Sequence, residues 1–184
     1  MKVLAIQASA NKDGLTASLA QSALEGAKSA GAKIEIIHLN TKNVNCCRVC
    51  GDGWGKCYED GQCVQEDDFQ AIRAMIDAAD ALVFAVPVYF HDISESARSF
   101  LDRWRRCEWP HEDKSQIKGK PVIGIAAAGG SGGGAVRALQ SLESYFVWLR
   151  LKPFDLVPAT RFNREWRLQG LKESGNALVE GSKK

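Results

Sequence analysis

Apolar runs alternate with amphipathic segments along most of the chain. Five runs have the length and aliphatic composition of buried strands: Lys2–Ala8, Lys33–Leu39, Ala81–Val86, Pro121–Ala128 and Lys152–Val157. Between them, apolar residues at helical spacing predict four helices: Leu15–Ala30, one that begins at Asp67 or Asp68, Ser94–Arg106 and Ala135–Arg150. Pro153 and Pro158 place the fifth strand at the edge of a sheet, since proline cannot donate to a central ladder.

Strands that alternate with helices require a parallel sheet with right-handed crossovers. Five strands and no early G-x-G-x-x-G motif favour an α/β flavodoxin-like three-layer sandwich, a five-stranded parallel sheet in the order 2-1-3-4-5. Its ligand is expected beyond the carboxyl ends of strands 1 and 3. We therefore expect one domain over residues 1–160, with a Cys-rich insert over residues 40–66 after the second strand. A polar C-terminal tail is expected over residues 161–184.

Composition narrows the class of protein. The chain has 184 residues, of which 45% are hydrophobic and 25% charged, and this balance excludes wholesale disorder. With a net charge of +2 and no long Lys/Arg run, no nucleic-acid partner is expected. No apolar stretch approaches the ~20 residues of a membrane helix, so no membrane partner is expected. The N-terminus has the pattern of a strand and not of a secretory signal, which favours a cytoplasmic location.

Three unusual loops follow predicted strands and are expected to converge. The first, Ser9–Ser18, brings hydroxyls and free N–H groups to a helix N-terminus, which binds phosphate well. The alternative is simple helix capping by Thr16 or Asp13. The third, Gly129–Gly134, matches a dinucleotide fingerprint only weakly and is better explained by close backbone approach to a flat ligand.

The second loop, Pro87–Ser94, carries an aromatic pair directly after a buried strand. Tyr89 and Phe90 can cover the face of a planar ring, or they can plug the edge of the sheet. His91 is a candidate proton donor, with simple solvation as the alternative.

Cysteines supply the second candidate site. Five of the six fall in one short segment, Cys46, Cys47, Cys50, Cys57 and Cys63, whereas Cys107 stands alone. Four of them form a C-x2-C-x6-C-x5-C pattern, which suits a tetrahedral zinc or an iron–sulfur cluster: Cys47, Cys50, Cys57 and Cys63. Iron–sulfur is favoured over zinc, because the pattern lacks the two C-x2-C units of a zinc ribbon. A redox pair of Cys47 and Cys50 is a further alternative.

Taken together, these motifs resemble a known family. They are Ser9-x-x-Lys-x-Gly-x-Thr16, Cys63-Val64-x-x-Asp67-Asp68-Phe69, Pro87-Val88-Tyr89-Phe90, Phe100-Leu101-Asp102-Arg103 and Gly129-Gly130-Ser131 with Gly133-Gly134. Over about residues 1–160 the chain resembles the iron–sulfur flavoproteins, within the flavodoxin-like FMN-dependent NAD(P)H reductases.

The resemblance implies two cofactors and their ligands. For FMN it implies Ser9, Asn11, Thr16, Ser18, Pro87, Val88, Tyr89, Phe90, Gly129 and Gly130. For a [4Fe–4S] cluster it implies Cys47, Cys50, Cys57 and Cys63, with Cys46 as an alternative to Cys47. The family's compact motif is C-x2-C-x2-C-x5-C, so this chain carries four additional residues between its second and third cysteines.

The resemblance also implies an activity. We expect an FMN-dependent oxidoreductase that passes electrons from NAD(P)H or ferredoxin to a small acceptor, with Tyr89 and His91 as candidate catalytic groups. A homodimer or homotetramer is expected. One alternative is an NAD(P)H-dependent FMN or quinone reductase without a cluster, whose cysteines bind zinc or stay free. Another is a non-catalytic flavodoxin-like module that senses redox state or metal.

Overall fold

The computed structural model describes residues 1–182, which form a parallel sheet between two layers of helices. The strands are β1 Lys2–Gln7, β2 Lys33–His38, β3 Ala81–Tyr89, β4 Asp92–Ile93, β5 Pro121–Ala128 and β6 Lys152–Thr160. The α-helices are α1 Leu15–Ser29, α2 Lys56–Glu59, α3 Phe69–Asp77, α4 Glu95–Glu108, α5 Ala135–Trp148 and α6 Arg164–Gly181. Short 3-10 helices cover Leu39–Thr41 and Trp109–Lys114.

The sheet has the predicted topology. Its parallel strands lie in the order β2-β1-β3-β5-β6, which is the 2-1-3-4-5 order of a flavodoxin-like sheet once β4 is left out of the count. Strand β4 has two residues and pairs antiparallel with the end of β3. Because of this pairing, β3 continues to Tyr89, and the first three residues of the predicted Pro87–Ser94 loop belong to a strand.

Successive side chains of each strand point to opposite faces of the sheet, so the protein has one hydrophobic core on each face. On β1, Leu4 and Ile6 face the layer of α3, α4 and α5, whereas Val3 and Ala5 face the layer of α1 and α6. The first core is rich in aromatic rings, including Phe69, Phe84, Phe100, Trp104 and Phe146. The second consists mostly of small and aliphatic side chains. Burial on both faces explains why the central strands are continuously apolar.

The segment expected to be a polar tail is helical in the structure. Helix α6 lies against α1 and buries Leu171, Leu178 and Val179 in the second core. The two helices approach so closely that a Cβ on Gly26 would lie 1.8 Å from the Lys172 carbonyl oxygen, and one on Gly175 would lie 1.9 Å from that of Ala23. The pattern of apolar residues missed this helix because glycine backbone forms much of its contact.

Within residues 1–182, no helix combines the length and the apolar character that crossing a membrane requires.

Candidate functional site

The carboxyl ends of β1, β3 and β5 are adjacent, so the loops that follow them share one edge of the sheet. The backbone after β1 is fixed at this edge: Ala8 N donates to Ala85 O at 2.9 Å. The Ala8 carbonyl accepts hydrogen bonds from Asn40 Nδ2 at 2.7 Å and from the hydroxyl of Ser96 at 3.2 Å. The first loop is therefore anchored to the start of α4 and to the end of β2.

Helix α1 begins at this edge with an open N-terminus. Its N-cap is Gly14, no side chain caps it, and its first turn contains no acidic residue. The predicted alternative, capping by Thr16 or Asp13, is therefore wrong. The helix dipole and the first-turn N–H groups remain available to an anion.

Side chains of the first loop either form hydrogen bonds within the loop or are buried next to it. Ser9 Oγ accepts from Asn11 N at 3.2 Å, and Asn11 Oδ1 accepts from Asp13 N at 3.0 Å. Ser9 and Thr16 are buried at the start of α1. The hydroxyl of Ser18 donates to Leu15 O at 2.9 Å, so it is bonded within its own helix.

A strained hairpin follows β3. Its two turn residues, Phe90 and His91, have φ of 48° and 68°, a left-handed conformation that Asn and Gly usually supply at such turns. Such strain persists only where surrounding contacts enforce it, and it concentrates at functional sites. Here the pairing of Tyr89 with Asp92 and the 2.6 Å ion pair of Asp92 with Arg98 hold the turn. Phe90 is consequently 100% exposed at the tip.

The glycine loop packs directly against this hairpin. Gly134 has φ of 83°, and a Cβ there would lie 2.5 Å from His91 Cα. His91 is therefore in contact with the glycine loop, and the second and third loops form one wall. A Cβ on Gly129 or Gly130 would meet nothing within 4 Å, so both backbones border open space at the sheet edge. Of the predicted ring contacts, Pro87 is buried in β3, Val88 is half-buried, and Tyr89 and Phe90 are exposed.

The cysteine insert, residues 40–66, packs against α3 and α4. Cys47, Cys50, Cys57 and Cys63 line one cavity, together with Cys107 of α4. All of these cysteines are free thiols in the structure. Val49 N donates to Cys47 Sγ at 3.4 Å.

The two remaining cysteines differ from these four. Cys46 is exposed, and its carbonyl accepts from Gln65 Nε2 at 2.9 Å. Cys107 is buried, and its burial raises the pKa of the thiol to about 12. Cys107 is distant in sequence from the other five cysteines and was not predicted to join them, but the fold places it in the cavity wall.

Three arginines hold the insert against α3 and α4 through its carbonyl oxygens. Arg103 Nη1 donates to Asn45 O at 3.0 Å, Arg106 Nη1 to Gly53 O at 2.6 Å, and Arg73 Nη1 to Gly61 O at 2.7 Å. Arg73 is in turn paired with Glu108 at 2.5 Å. Because these contacts lie along the insert, they fix a segment that contains little regular secondary structure.

Arg103 also forms a bidentate ion pair with Asp67, and both side chains are only 1% exposed. Burial alone would raise the pKa of Asp67, but hydrogen bonds from Arg103 and from the N–H groups of Asn45 and Phe69 outweigh it and lower the pKa to about 2. Sequence reasoning missed this role of Arg103. The available signal was its position, three residues after buried Phe100 and four before buried Cys107.

The cavity wall fits an electron-rich group. Arg103 lies in the wall formed by the cysteines, where it interacts with Cys63, and its Nε is buried without a hydrogen-bond partner. An unsatisfied buried donor is costly, and a thiolate or sulfide would satisfy it. Arg48, Lys56 and Arg106 also line the cavity, so its walls would complement the negative charge that four cysteines carry when they bind a metal group. Among residues 1–182, no three His, Cys, Asp or Glu side chains are gathered in a way that could hold a single metal ion.

Comparison with known proteins agrees with this geometry. The family model described as NADPH-dependent FMN reductase matches residues 1–159. The chain belongs to this family. The predicted class, an FMN-dependent oxidoreductase with a flavodoxin-like fold, is thereby confirmed at the level of the family.

Curated relatives carry a more specific name. An iron–sulfur flavoprotein of Archaeoglobus fulgidus is 30% identical over 132 residues, which are 72% of this chain and 56% of that protein. The chain thus spans little more than half the length of this relative. The iron–sulfur flavoprotein of Methanosarcina thermophila is 26% identical, with 79% of this chain and 72% of that protein covered. The predicted resemblance to iron–sulfur flavoproteins is confirmed as a similarity.

Solved structures share the fold. A flavone reductase superposes with a TM-score of 0.76 at 18% identity, covering 100% of this chain and 63% of that one. An NAD(P)H:quinone oxidoreductase from Methanothermobacter marburgensis gives a TM-score of 0.69 at 19% identity, covering 97% and 96%. A flavodoxin from the domain Archaea gives 0.67 at 14% identity, covering both chains completely.

Proposed function

We propose that this protein is an FMN-dependent oxidoreductase that also holds a [4Fe–4S] cluster in its cysteine insert. Electrons would pass from NAD(P)H or ferredoxin to a small acceptor. The observation that carries the flavin half is the uncapped N-terminus of α1 at the edge where three loops converge. The observation that carries the cluster half is the cavity lined by Cys47, Cys50, Cys57 and Cys63.

In the flavin half, the first loop receives the phosphate. N–H groups of the first turn of α1, with the side chains of Ser9, Asn11 and Thr16, would donate to its oxygens. Ser18 supports the turn through its bond to Leu15 O and is the weakest candidate for direct contact. No acidic side chain in the first turn opposes the dianion.

The wall formed by the hairpin and the glycine loop would receive the isoalloxazine ring. Pro87 and Val88 end β3 beneath it, Tyr89 and Phe90 offer aromatic faces, and Gly129 and Gly130 present backbone without side chains. Absence of a Cβ at the two glycines lets N–H groups approach the ring edge. Tyr89 and His91 remain candidate groups for proton transfer at this wall, since both are held by the strained turn.

In the cluster half, the four thiolates are the ligands, and Cys46 is an alternative to Cys47. Four cysteine thiolates bind a [4Fe–4S] cluster, and the spacing of these four lacks the two C-x2-C units of a zinc ribbon. We therefore favour a cluster over zinc for the cysteines that border this common cavity. Arg103 would donate its free Nε–H to the thiolate and sulfide shell. When bound, FMN supplies two-electron chemistry and the cluster supplies single-electron steps.

Self-association completes the proposal. We propose a homodimer or homotetramer in which a second copy covers Phe90, the fully exposed aromatic ring at the tip of the strained hairpin. Sedimentation velocity of the wild type and of Phe90→Ser tests this. The wild type is expected to sediment as an oligomer that the variant weakens, and a monomeric wild type would contradict it.

Anaerobic purification followed by flavin, iron and sulfide quantitation tests the assignment. We expect one FMN and about four irons with four sulfides per chain. Replacement of Cys57 by serine should remove the iron and leave the flavin. Flavin without iron in anoxic, folded wild-type protein would instead support the cluster-free reductase, and protein that takes up neither would support the sensor module.

A further inference from the structure

The six residues between Cys50 and Cys57 do more than lengthen the cysteine insert. They bring Trp54 to the outer face of α4, where it meets two further tryptophans. Trp54 and Trp109 have ring centroids 6.1 Å apart with planes tilted by 30°, and Trp109 and Trp148 are also 6.1 Å apart in an edge-to-face arrangement. We name this feature the aromatic pocket: Trp54, Trp109, Trp148, Arg105 and Arg106.

The aromatic pocket is built from three separate parts of the chain and is held in shape. Trp54 comes from the insert, Trp109 follows α4, and Trp148 ends α5. Arg106 fixes Trp54 twice, because its guanidinium lies 4.9 Å from the ring centroid and its Nη1 donates to the Gly53 carbonyl at 2.6 Å. A wall set in place before binding lowers the entropy that a ligand must lose.

The three tryptophans are nevertheless open to solvent, with exposed fractions of 43% for Trp54, 41% for Trp109 and 52% for Trp148. A cluster of large apolar rings around a concave surface marks a binding site more often than a chance exposure. The cavity has a volume of about 210 Å³. That is below the roughly 300–1,000 Å³ of pockets for drug-sized ligands, so it suits one or two fused rings.

The positive charge of the aromatic pocket indicates that its ligand carries an anionic group. Arg105 and Arg106 both line the aromatic pocket, and no acidic side chain does. Arg105 uses its Nε for Asp102 at 3.1 Å, and 41% of its side chain is exposed to solvent. Guanidinium groups bind carboxylates and sulfonates through paired N–H donors, and tryptophan faces stack on planar rings.

We propose that the aromatic pocket binds a planar aromatic acid, one or two fused rings that bear a carboxylate or similar anionic group. The rings would stack among Trp54, Trp109 and Trp148, and the anion would pair with Arg105. A second copy of the chain is a poorer occupant, because a symmetric contact through this surface would bring the arginines of both copies together.

Calorimetric titration of the FMN-loaded protein with naphthalene-2-sulfonate tests the proposal. We expect saturable binding at one site, and at least fivefold weaker binding of the neutral isostere naphthalene-2-sulfonamide. Trp148→Leu should weaken binding of the sulfonate at least about fivefold through lost stacking, and Arg105→Gln should weaken the sulfonate but not the sulfonamide.

Matched controls lie outside the aromatic pocket. Trp166 is 78% exposed on α6, and Arg161 stacks on Phe162 at 4.7 Å, so Trp166→Leu and Arg161→Gln should leave binding of the sulfonate unchanged. Equal affinity for the sulfonate and the sulfonamide, or unchanged binding in Trp148→Leu, would overturn the proposal. Adenosine monophosphate that bound more tightly than the sulfonate and lost affinity in Trp148→Leu would assign the pocket to nucleotides instead. Wild-type dimerisation abolished by Trp148→Leu would assign it to a second copy.

Discussion

The buried ion pair between Asp67 and Arg103 offers a direct test of how the cysteine insert is held. Asp67→Asn keeps the size of the side chain but removes the charge that balances Arg103, and both groups are 1% exposed. It also places an amide NH2 against a guanidinium that makes bonds of 2.6 and 2.9 Å to the carboxylate. Removing one partner of a buried pair costs about 3–5 kcal/mol, which is the expected loss of unfolding free energy at pH 7.

Asp68→Asn is the matched control. The side chain of neighbouring Asp68 accepts one hydrogen bond, from Asn43 N at 2.7 Å, and this bond is exposed to solvent. Its loss should cost only about 1 kcal/mol. The measurement is urea denaturation of the three proteins at equal FMN loading. A loss in Asp67→Asn within about 1 kcal/mol of that in Asp68→Asn would refute the reasoning.

The same pair predicts an acid sensitivity. Asp67 has a pKa of about 2 in the folded chain against 3.8 for the free side chain. The lowered pKa stabilises the fold by about 2 kcal/mol when the pH is above the pKa of Asp67 in the unfolded chain. That stabilisation is lost as the pH falls through the pKa of Asp67 in the folded chain. About half of it should be gone by pH 3. The stability difference between wild type and Asp67→Asn should therefore shrink between pH 6 and pH 3, and a constant difference would contradict the assignment.

Two glycine predictions concern the packing of α6 and the flavin wall. Gly175→Ala would place a Cβ 1.9 Å from the Ala23 carbonyl oxygen, so it should lower the melting temperature by several degrees. Gly170 lies on the same helix, and a Cβ there would meet nothing within 4 Å. Gly170→Ala should therefore raise the melting temperature slightly, because alanine has the higher helix propensity. Equal effects would show that α6 does not dock on α1 as described. Gly134→Ala, at φ of 83° and against His91, should lower both stability and FMN affinity, while Gly129→Ala should weaken FMN binding with stability unchanged. FMN titration with a parallel melting curve separates these outcomes, and unaltered FMN affinity in both variants would place the ring elsewhere.

The sheet could be predicted from the sequence because each parallel strand is an uninterrupted apolar run and each crossover helix has an apolar stripe. Strand β4 could not, since two residues carry no periodicity and the hairpin depends on an unfavourable turn at Phe90 and His91. Helix α6 was not predicted from the sequence for a different reason. It buries few large side chains and contacts α1 through Gly175, which a hydrophobicity pattern does not register.

At the candidate site, sequence spacing identified the loops and the cysteines but not the residues that hold them. Arg103 lies at a position with helical spacing to Phe100 and Cys107, yet a charged residue there is normally assigned to the solvent face. Only the fold shows that Asp67, distant along the chain, makes its burial tolerable. Cys107 was missed on the same ground, because its neighbours in space come from the insert.

An anaerobic absorption spectrum with iron and sulfide quantitation tests the central claim most directly. A flavin held at the carboxyl edge and a cluster held by Cys47, Cys50, Cys57 and Cys63 predict flavin bands over a broad iron–sulfur absorption, with about four irons per FMN. Loss of iron alone in Cys57→Ser would assign the cluster to the insert. Flavin bands without iron in anoxic, fully folded wild-type protein would contradict the account.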